Sequence, residues 1–391
     1  MGSRRWLVGL IAAVAAACGP FGSDPEHHPD AQGATDASTA PDAAPRCGDE
    51  ILQPGETCDP QWTCPLQCEP RTCATWALAG SSVTCDVTCD YTPITQCIPS
   101  DGCCAPQCTA ALDNDCLGIR IDAGYVPTYT LRDLGPVPGV PARLGGLTVK
   151  AGDPTKLLVG GTANTTTGAL YEIGLVRDAQ NHIIGFDPAA PATRLIDAQY
   201  NDGGVAYGPD GVLFLARWPA NELGQTKAGS TITDKVIPLD TIPVAHSVAG
   251  TAIAPAGYPG AGTLKLLSWG GGQWYTAKLV PDMMGTFDVT EVTLKGTLTG
   301  GTEGMVYVPA GSPLFPRPAV LVSEWTAGIV STYEVDDNGD PILATRKLFI
   351  INLMGAEGAT IDPMSGDFLF STFGGGDRVI VVKGFLPPES G

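Results

Sequence analysis

From Leu117 to Gly391 apolar residues alternate with polar ones in short runs, and no long stretch shows the three- and four-residue spacing of a helix. The runs themselves recur. Units begin Gly145-Gly146-Leu147-Thr148-Val149, Gly203-Gly204-Val205-Ala206-Tyr207, Ala249-Gly250-Thr251-Ala252-Ile253, Glu303-Gly304-Met305-Val306-Tyr307 and Glu357-Gly358-Ala359-Thr360-Ile361. The second glycine of each unit falls at 146, 204, 250, 304 and 358, a step of 46 to 58 residues. A turn and an apolar strand follow each: Leu157 to Val159, Val212 to Ala216, Leu264 to Leu267, Val320 to Ser323, Phe368 to Ser371. Further runs, such as Gly328 to Val335 and Arg378 to Lys383, complete the unit. This is the pattern of a β-propeller blade. Five anchors predict an all-β propeller of about five blades, with a degenerate sixth left open and an array of β-sandwiches as the alternative. Only 33 residues follow Gly358, enough for about three strands. The ring is therefore expected to close with an outer strand taken from Tyr125 to Leu134, ahead of the first anchor.

The N-terminus has a different pattern. Arg4 and Arg5 precede an uncharged run from Trp6 to Ala17, too short to cross a bilayer as a helix and built like a signal peptide over residues 1–17. Ala15-Ala16-Ala17-Cys18-Gly19 resembles a bacterial lipobox, which implies a diacylated Cys18 as the mature N-terminus and membrane anchor; ordinary cleavage is the alternative. Residues 18–46 are otherwise Asp, Ala, Pro, Ser and Thr, too poor in bulky apolar groups to fold, and read as a tether in which His27 and His28 are solvated.

Cysteine divides the rest. Of thirteen cysteines, one is Cys18 and the others are Cys47, Cys58, Cys64, Cys68, Cys73, Cys85, Cys89, Cys97, Cys103, Cys104, Cys108 and Cys116. Twelve can pair into six bridges, which places the chain outside the cytoplasm. Zinc is the competing reading of Cys64-x-x-x-Cys68, Cys85-x-x-x-Cys89 or Cys103-Cys104, disfavoured because residues 47–116 contain no histidine and an exported chain favours bridges. Asp59, Asp86, Asp90, Asp101, Asp113 and Asp115 crowd the same module, but no EF-hand spacing links them, so a solvated acidic surface is the default over calcium. The predicted organisation is thus a disulfide-rich module over 47–116 and a propeller over 117–391. Within 47–116, Cys47-Gly48-Asp49-Glu50 and Gly55-Glu56-Thr57-Cys58-Asp59 resemble the unit of a myxobacterial cysteine-rich repeat family, and Tyr91 to Cys97, Asp101 to Cys108 and Asp113 to Cys116 resemble segments that follow it. That resemblance implies origin and compartment and carries no chemistry.

The formal charge of −19 makes nucleic acid a poor partner, since phosphate binding needs a basic surface. Candidate chemistry lies where the repeats share a face. Asp202, His246, Glu303 and Glu357 stand before anchors, and Trp218, Trp269, Trp325 and Phe373 follow second strands. Carboxylates beneath an outer ring of aromatics suit a glycan or another small polar ligand. The plainer reading is that the rings fill gaps between blades and the glutamates bond backbone amides. The repeat also resembles the blades of NHL-repeat and gluconolactonase-like propellers. That resemblance implies a divalent ion, often calcium, at the channel mouth, with Asp202, Glu303, Asn352 and Glu357 as its ligands here and His246 as a base. No nucleophile elbow is present, and Ser247 beside His246 does not make a dyad, because neighbours in a strand point to opposite faces. Asp336-Asp337-Asn338-Gly339-Asp340 reads as a hairpin turn, and Gly270-Gly271-Gly272 and Gly374-Gly375-Gly376 as flexible turns.

The reading that ranks first is a lipid-anchored protein of the outer membrane surface or periplasm, or else a secreted one. Its propeller binds a glycan, small molecule or protein, and its cysteine-rich module is a spacer or adhesive unit. The second is a calcium-dependent lactonase- or esterase-like hydrolase, for which no catalytic residue is assigned.

Overall fold

The computed structural model describes residues 47–49, 51–59, 61–66, 68, 73–98, 103, 105, 108, 112–113 and 118–388, all within one compact unit, Cys47–Gly391. The expected signal peptide, Cys18, and the tether with His27 and His28 lie outside the described residues, as do Cys104 and Cys116. Among the described residues no helix is long and apolar enough to cross a membrane.

The cysteine-rich segment holds one hairpin, β1 (Ala74–Ala79) against β2 (Thr88–Pro93). Bridges join Cys47 to Cys85, Cys58 to Cys64, Cys68 to Cys89, Cys73 to Cys103 and Cys97 to Cys108. Its buried apolar cluster, Cys58, Cys64, Cys85 and Val87, is too small to hold a fold alone, so the cross-links do so. The nearest approach to a metal site here, Cys47, Asp59 and Cys85, offers no thiolate, because both cysteines are bridged to each other. Asp59 accepts from the Gly48 and Ile51 amides and Asp86 from the Ser81 amide, so these carboxylates close turns.

Two strands precede the first anchor, β3 (Arg120–Ile121) and β4 (Thr130–Pro136). Blade 1 is β5 (Leu147–Val149), β6 (Lys156–Gly161) and β7 (Ala169–Arg177), with its outer edge shared by β8 (Ile183–Phe186) and β9 (Thr193–Asp197). Blade 2 is β10 (Asn201–Tyr207), β11 (Leu213–Arg217), β12 (Glu222–Thr226) and β13 (Lys235–Pro238). Blade 3 is β14 (Val248–Ile253), β15 (Leu264–Ser268), β16 (Gln273–Pro281) and β17 (Phe287–Thr297). Blade 4 is β18 (Thr302–Val308), β19 (Ala319–Glu324), β20 (Ile329–Glu334) and β21 (Lys347–Ile351), extended by β3. Blade 5 is β22 (Ala356–Ile361), β23 (Phe368–Thr372) and β24 (Arg378–Lys383), and its fourth strand is β4.

The fold is therefore a five-bladed β-propeller, with no sixth blade among the described residues. It closes as the strand count demanded: Thr130 pairs with Lys383, Leu131 with Val382 and Arg132 with Val381. Pairing β4 with β24 gives the last blade its fourth strand and ties the segment before blade 1 to blade 5.

Each blade is covered on both faces by its neighbours, which explains why β11, β15, β19 and β23 are buried at every position. Five apolar clusters fill the five junctions. One joins blades 1 and 2 through Leu158, Leu170 and Leu215, and one joins blades 2 and 3 through Phe214, Leu266 and Phe287. Trp274 and Val320 meet between blades 3 and 4, Leu321 and Phe368 between blades 4 and 5, and Leu147 and Val381 between blades 5 and 1.

Buried ions are paired across the same junctions. Arg177 forks onto Asp362 at 2.7 and 2.8 Å. The fully buried Lys265 donates to Asp340 Oδ1 at 2.7 Å and to the Asn338 carbonyl at 2.8 Å. The hairpin turn at Asp336 to Asp340 thus takes an ammonium from the neighbouring blade.

At the axis the anchor glycines explain themselves. A side chain on Gly146 would meet blade 2 at Gly203, one on Gly204 would meet Thr251, and one on Gly250 would meet the Glu303 carbonyl. One on Gly304 would meet Ala359 and Glu357, and one on Gly358 would meet Gly146. The contacts run once round the ring and return to their start. Five inner strands converge so tightly that the backbones touch, and no larger residue fits.

Candidate functional site

Four of the five inner strands carry a bulge at one level. Pairing breaks between Asn201 and Val205, Val248 and Gly250, Thr302 and Met305, and Ala356 and Ala359. A bulge takes residues out of the ladder and re-aims a side chain. Here it frees the residues just before the anchors. The positions preceding the anchor glycines hold Gly145, Gly203, Ala249, Glu303 and Glu357, three small and two long, and blade 2 adds Asp202 one residue earlier. The small residues make room: a side chain on Gly203 would lie 2.8 Å from Glu303 Oε2.

Asp202, Glu303 and Glu357 each bring a carboxylate oxygen within 4.8 Å of the others, and all three are buried, at 2%, 5% and 2% exposure. Glu303 Oε2 and Glu357 Oε1 have no hydrogen-bond partner. Burial pushes the Asp202 carboxyl up to about 7, against hydrogen bonds with Glu357 and Asn164 that hold it down. Burial, and then the negative charge of Asp202, drives Glu303 well above the carboxylate range. Glu357 rises by burial, then by Glu303 and Asp202. Three carboxylates this close and this dry do not all ionise unless a cation joins them, so without one they hold protons.

These groups floor a cavity of about 150 Å³ lined by Arg143, Asn164, Trp218, Trp269, Trp325 and Phe373. Each ring stands where its blade's second strand ends, half-buried. They meet edge to face in sequence: Trp218 to Trp269 at 6.4 Å, Trp269 to Trp325 at 6.1 Å and Trp325 to Phe373 at 6.3 Å. The rings therefore both pack between blades and face the cavity. Blade 1 supplies no aromatic; β6 runs on to Thr162 and Asn164, and the Arg143 guanidinium sits 5.9 Å from the Phe373 centroid in the gap. Arg143 is held in the left-handed region (φ 68°) by its amide on Asp377 Oδ1 at 3.0 Å and its carbonyl under the Ala163 amide at 3.0 Å.

The structure thus brings together Asp202, Glu303, Glu357, Trp218, Trp269, Trp325 and Phe373. It does not bring Asn352 or His246. Asn352 follows the outer strand β21, far out along the blade, where its amide reaches the Gly118 carbonyl at 3.4 Å. His246 lies ahead of the bulge, 57% exposed beside Asp240, and Ala249 occupies the position expected of it. Asn164 and Arg143 were missed. The signal for them was the missing aromatic of blade 1, which asks what fills its place.

No family model matches the chain, and no curated protein does. Similar solved structures include a protein described as a proposed gluconolactonase, 12% identical over 69% of this chain and 96% of that one, with a TM-score of 0.39. Virginiamycin B lyase from Staphylococcus aureus is 11% identical over 65% of this chain and 99% of its own, TM-score 0.34. An auxiliary nutrient binding protein from Bacteroides ovatus is 10% identical over 68% and 75%, TM-score 0.36. Likenesses this distant carry no argument about what the chain does.

Proposed function

We propose that the protein is a ligand-binding module whose site is the mouth floored by Asp202, Glu303 and Glu357, and that this floor accepts a cation. The observation that carries the reading is the convergence of three buried carboxylates, two with unpartnered oxygens, under a half-exposed aromatic wall. Buried carboxylates are costly unless protonated or paired with a cation. Calcium, a hard ion that takes oxygen ligands, is the first ion to try, with the Asn164 amide oxygen as a further donor. The five bridges among the described residues suit an oxidising compartment. Anchoring through Cys18 at the outer membrane surface or in the periplasm, and a spacer or adhesive role for the module resembling myxobacterial cysteine-rich repeats, belong to the same proposal. The ligand would be a glycan, a small molecule or a protein group that enters the mouth.

The test is a calcium titration of the purified full chain, with melting curves with and without chelator. Saturable binding to one site, raised melting temperature, and loss of both in Glu357→Gln are expected. A flat titration with identical melting curves would remove calcium. A hydrolase is the second reading: burial pushes the Asp202 carboxyl of the cation-free floor up to about 7, beside an open cavity, and a carboxyl so raised suits a general base. Calcium-dependent turnover of a lactone panel, abolished in Asp202→Asn, would establish it; no turnover would leave the binding module.

A further inference from the structure

The mouth combines three features rarely needed together for a simple ion or a sugar. Its floor is three converging carboxyl groups, two of them with an unpartnered oxygen. Its wall is mostly π surface: the Trp218 indole N–H is turned to Ser247 Oγ at 3.1 Å and that of Trp325 to the Phe373 carbonyl at 3.0 Å, and the lining also carries the Arg143 guanidinium and the Asn164 amide. A cation already leans on this wall, the Arg143 guanidinium over Phe373. A hydrated dication would turn its outer waters toward rings that cannot bond them well. A positive charge wrapped in carbon suits both surfaces: the charge meets the carboxylates, and the carbon meets the ring faces by cation–π attraction. Size agrees, since a cavity of about 150 Å³ is of the scale that admits a benzene-sized molecule, and a methylated ammonium head is no larger.

We infer that the ligand admitted by this mouth is a small organic ammonium, methylated at nitrogen, seated with its charge over Asp202, Glu303 and Glu357 and its methyl groups against Trp218, Trp269 and Trp325. This rests on the reading of the mouth as a cation-accepting site and names the class of cation.

The experiment titrates the full chain with choline and with 3,3-dimethylbutan-1-ol, which has the same shape without the charge, following tryptophan fluorescence and heat. Calcium is titrated in parallel. Choline is expected to saturate one site and the neutral alcohol to bind at least about tenfold more weakly. Trp269→Ala should lose about tenfold or more of the choline affinity while leaving calcium unchanged, and Trp269→Phe should keep most of it. Removing the competing charge with Arg143→Ala should tighten choline several-fold. Equal binding of choline and the alcohol overturns the inference, because the mouth would then read shape alone. Calcium saturating the site while choline gives no response also overturns it and leaves the cation floor standing. Silence from both cations removes both readings. Should Trp269→Ala fail to fold, the choline and alcohol pair on the unaltered chain decides.

Discussion

Asp202 reaches the same point as Glu303 and Glu357 with a shorter side chain from one residue earlier, so the three carboxylates meet although their blades are not sequence-equivalent there. Their burial has a consequence for pH. A carboxyl raised by the fold favours the protonated folded state, so its contribution to stability is full below its unfolded value of 3.8 and is lost as pH rises through about 7. In cation-free protein the gap in melting temperature between the unaltered chain and Asp202→Asn, which cannot ionise, should therefore move against the unaltered chain between about pH 4 and 8. The effect should be on the order of a few kcal/mol. Parallel melting curves across that range would mean that the floor does not titrate as described. At this scale the sequence was readable where a residue kept a fixed offset from a repeating glycine. Glu303 and Glu357 did so, and the four aromatics kept a fixed place too, each one residue past the second strand of its blade. Asn352 and His246 did not, because distance along the chain to an anchor does not say whether a residue lies at the axis or far out on a blade. Arg143 and Asn164 were unreadable as members of the repeat, since they sit where blade 1 departs from it.

Among the elements, the inner strands determine the site. Each of their glycines faces neighbouring backbone, which cannot move aside as a side-chain tip can. Gly250→Ala should cost about 1–3 kcal/mol or more by driving a methyl into the Glu303 carbonyl, and should disturb the floor through Glu303 itself. Gly185→Ala, on β8 with nothing within 4 Å of the new carbon, is the control and should stay within about 0.5 kcal/mol. Chemical denaturation of both variants measures this; similar losses in the two would mean that the axial crowding is not real. The strands were legible as short apolar runs between turn residues, but their neat alternation was not general. The second strands read as unbroken apolar stretches, Leu213 to Ala216 or Val320 to Val322, because both faces of each are covered. The bulges were invisible beforehand, since a bulge is a relation between two strands and neither sequence alone reveals it.

At the scale of the whole molecule, five anchors gave five blades, and the shortage of residues after Gly358 pointed to closure by a strand from before the first blade, which β4 supplies. Length and repeat spacing determined this because a ring must pair its last sheet with something. Chemistry at the mouth was less legible: it depends on inner strands and second-strand ends of different blades arriving at one place. A crystal structure of the protein grown with choline, and another with a lanthanide in place of calcium, tests the central claim most directly. The account expects one cation at the mouth in at least one of them, within contact of Glu303 Oε2 and Glu357 Oε1. A mouth holding water alone at saturating concentrations of both would contradict it, and would make the buried carboxyls a structural feature of the ring.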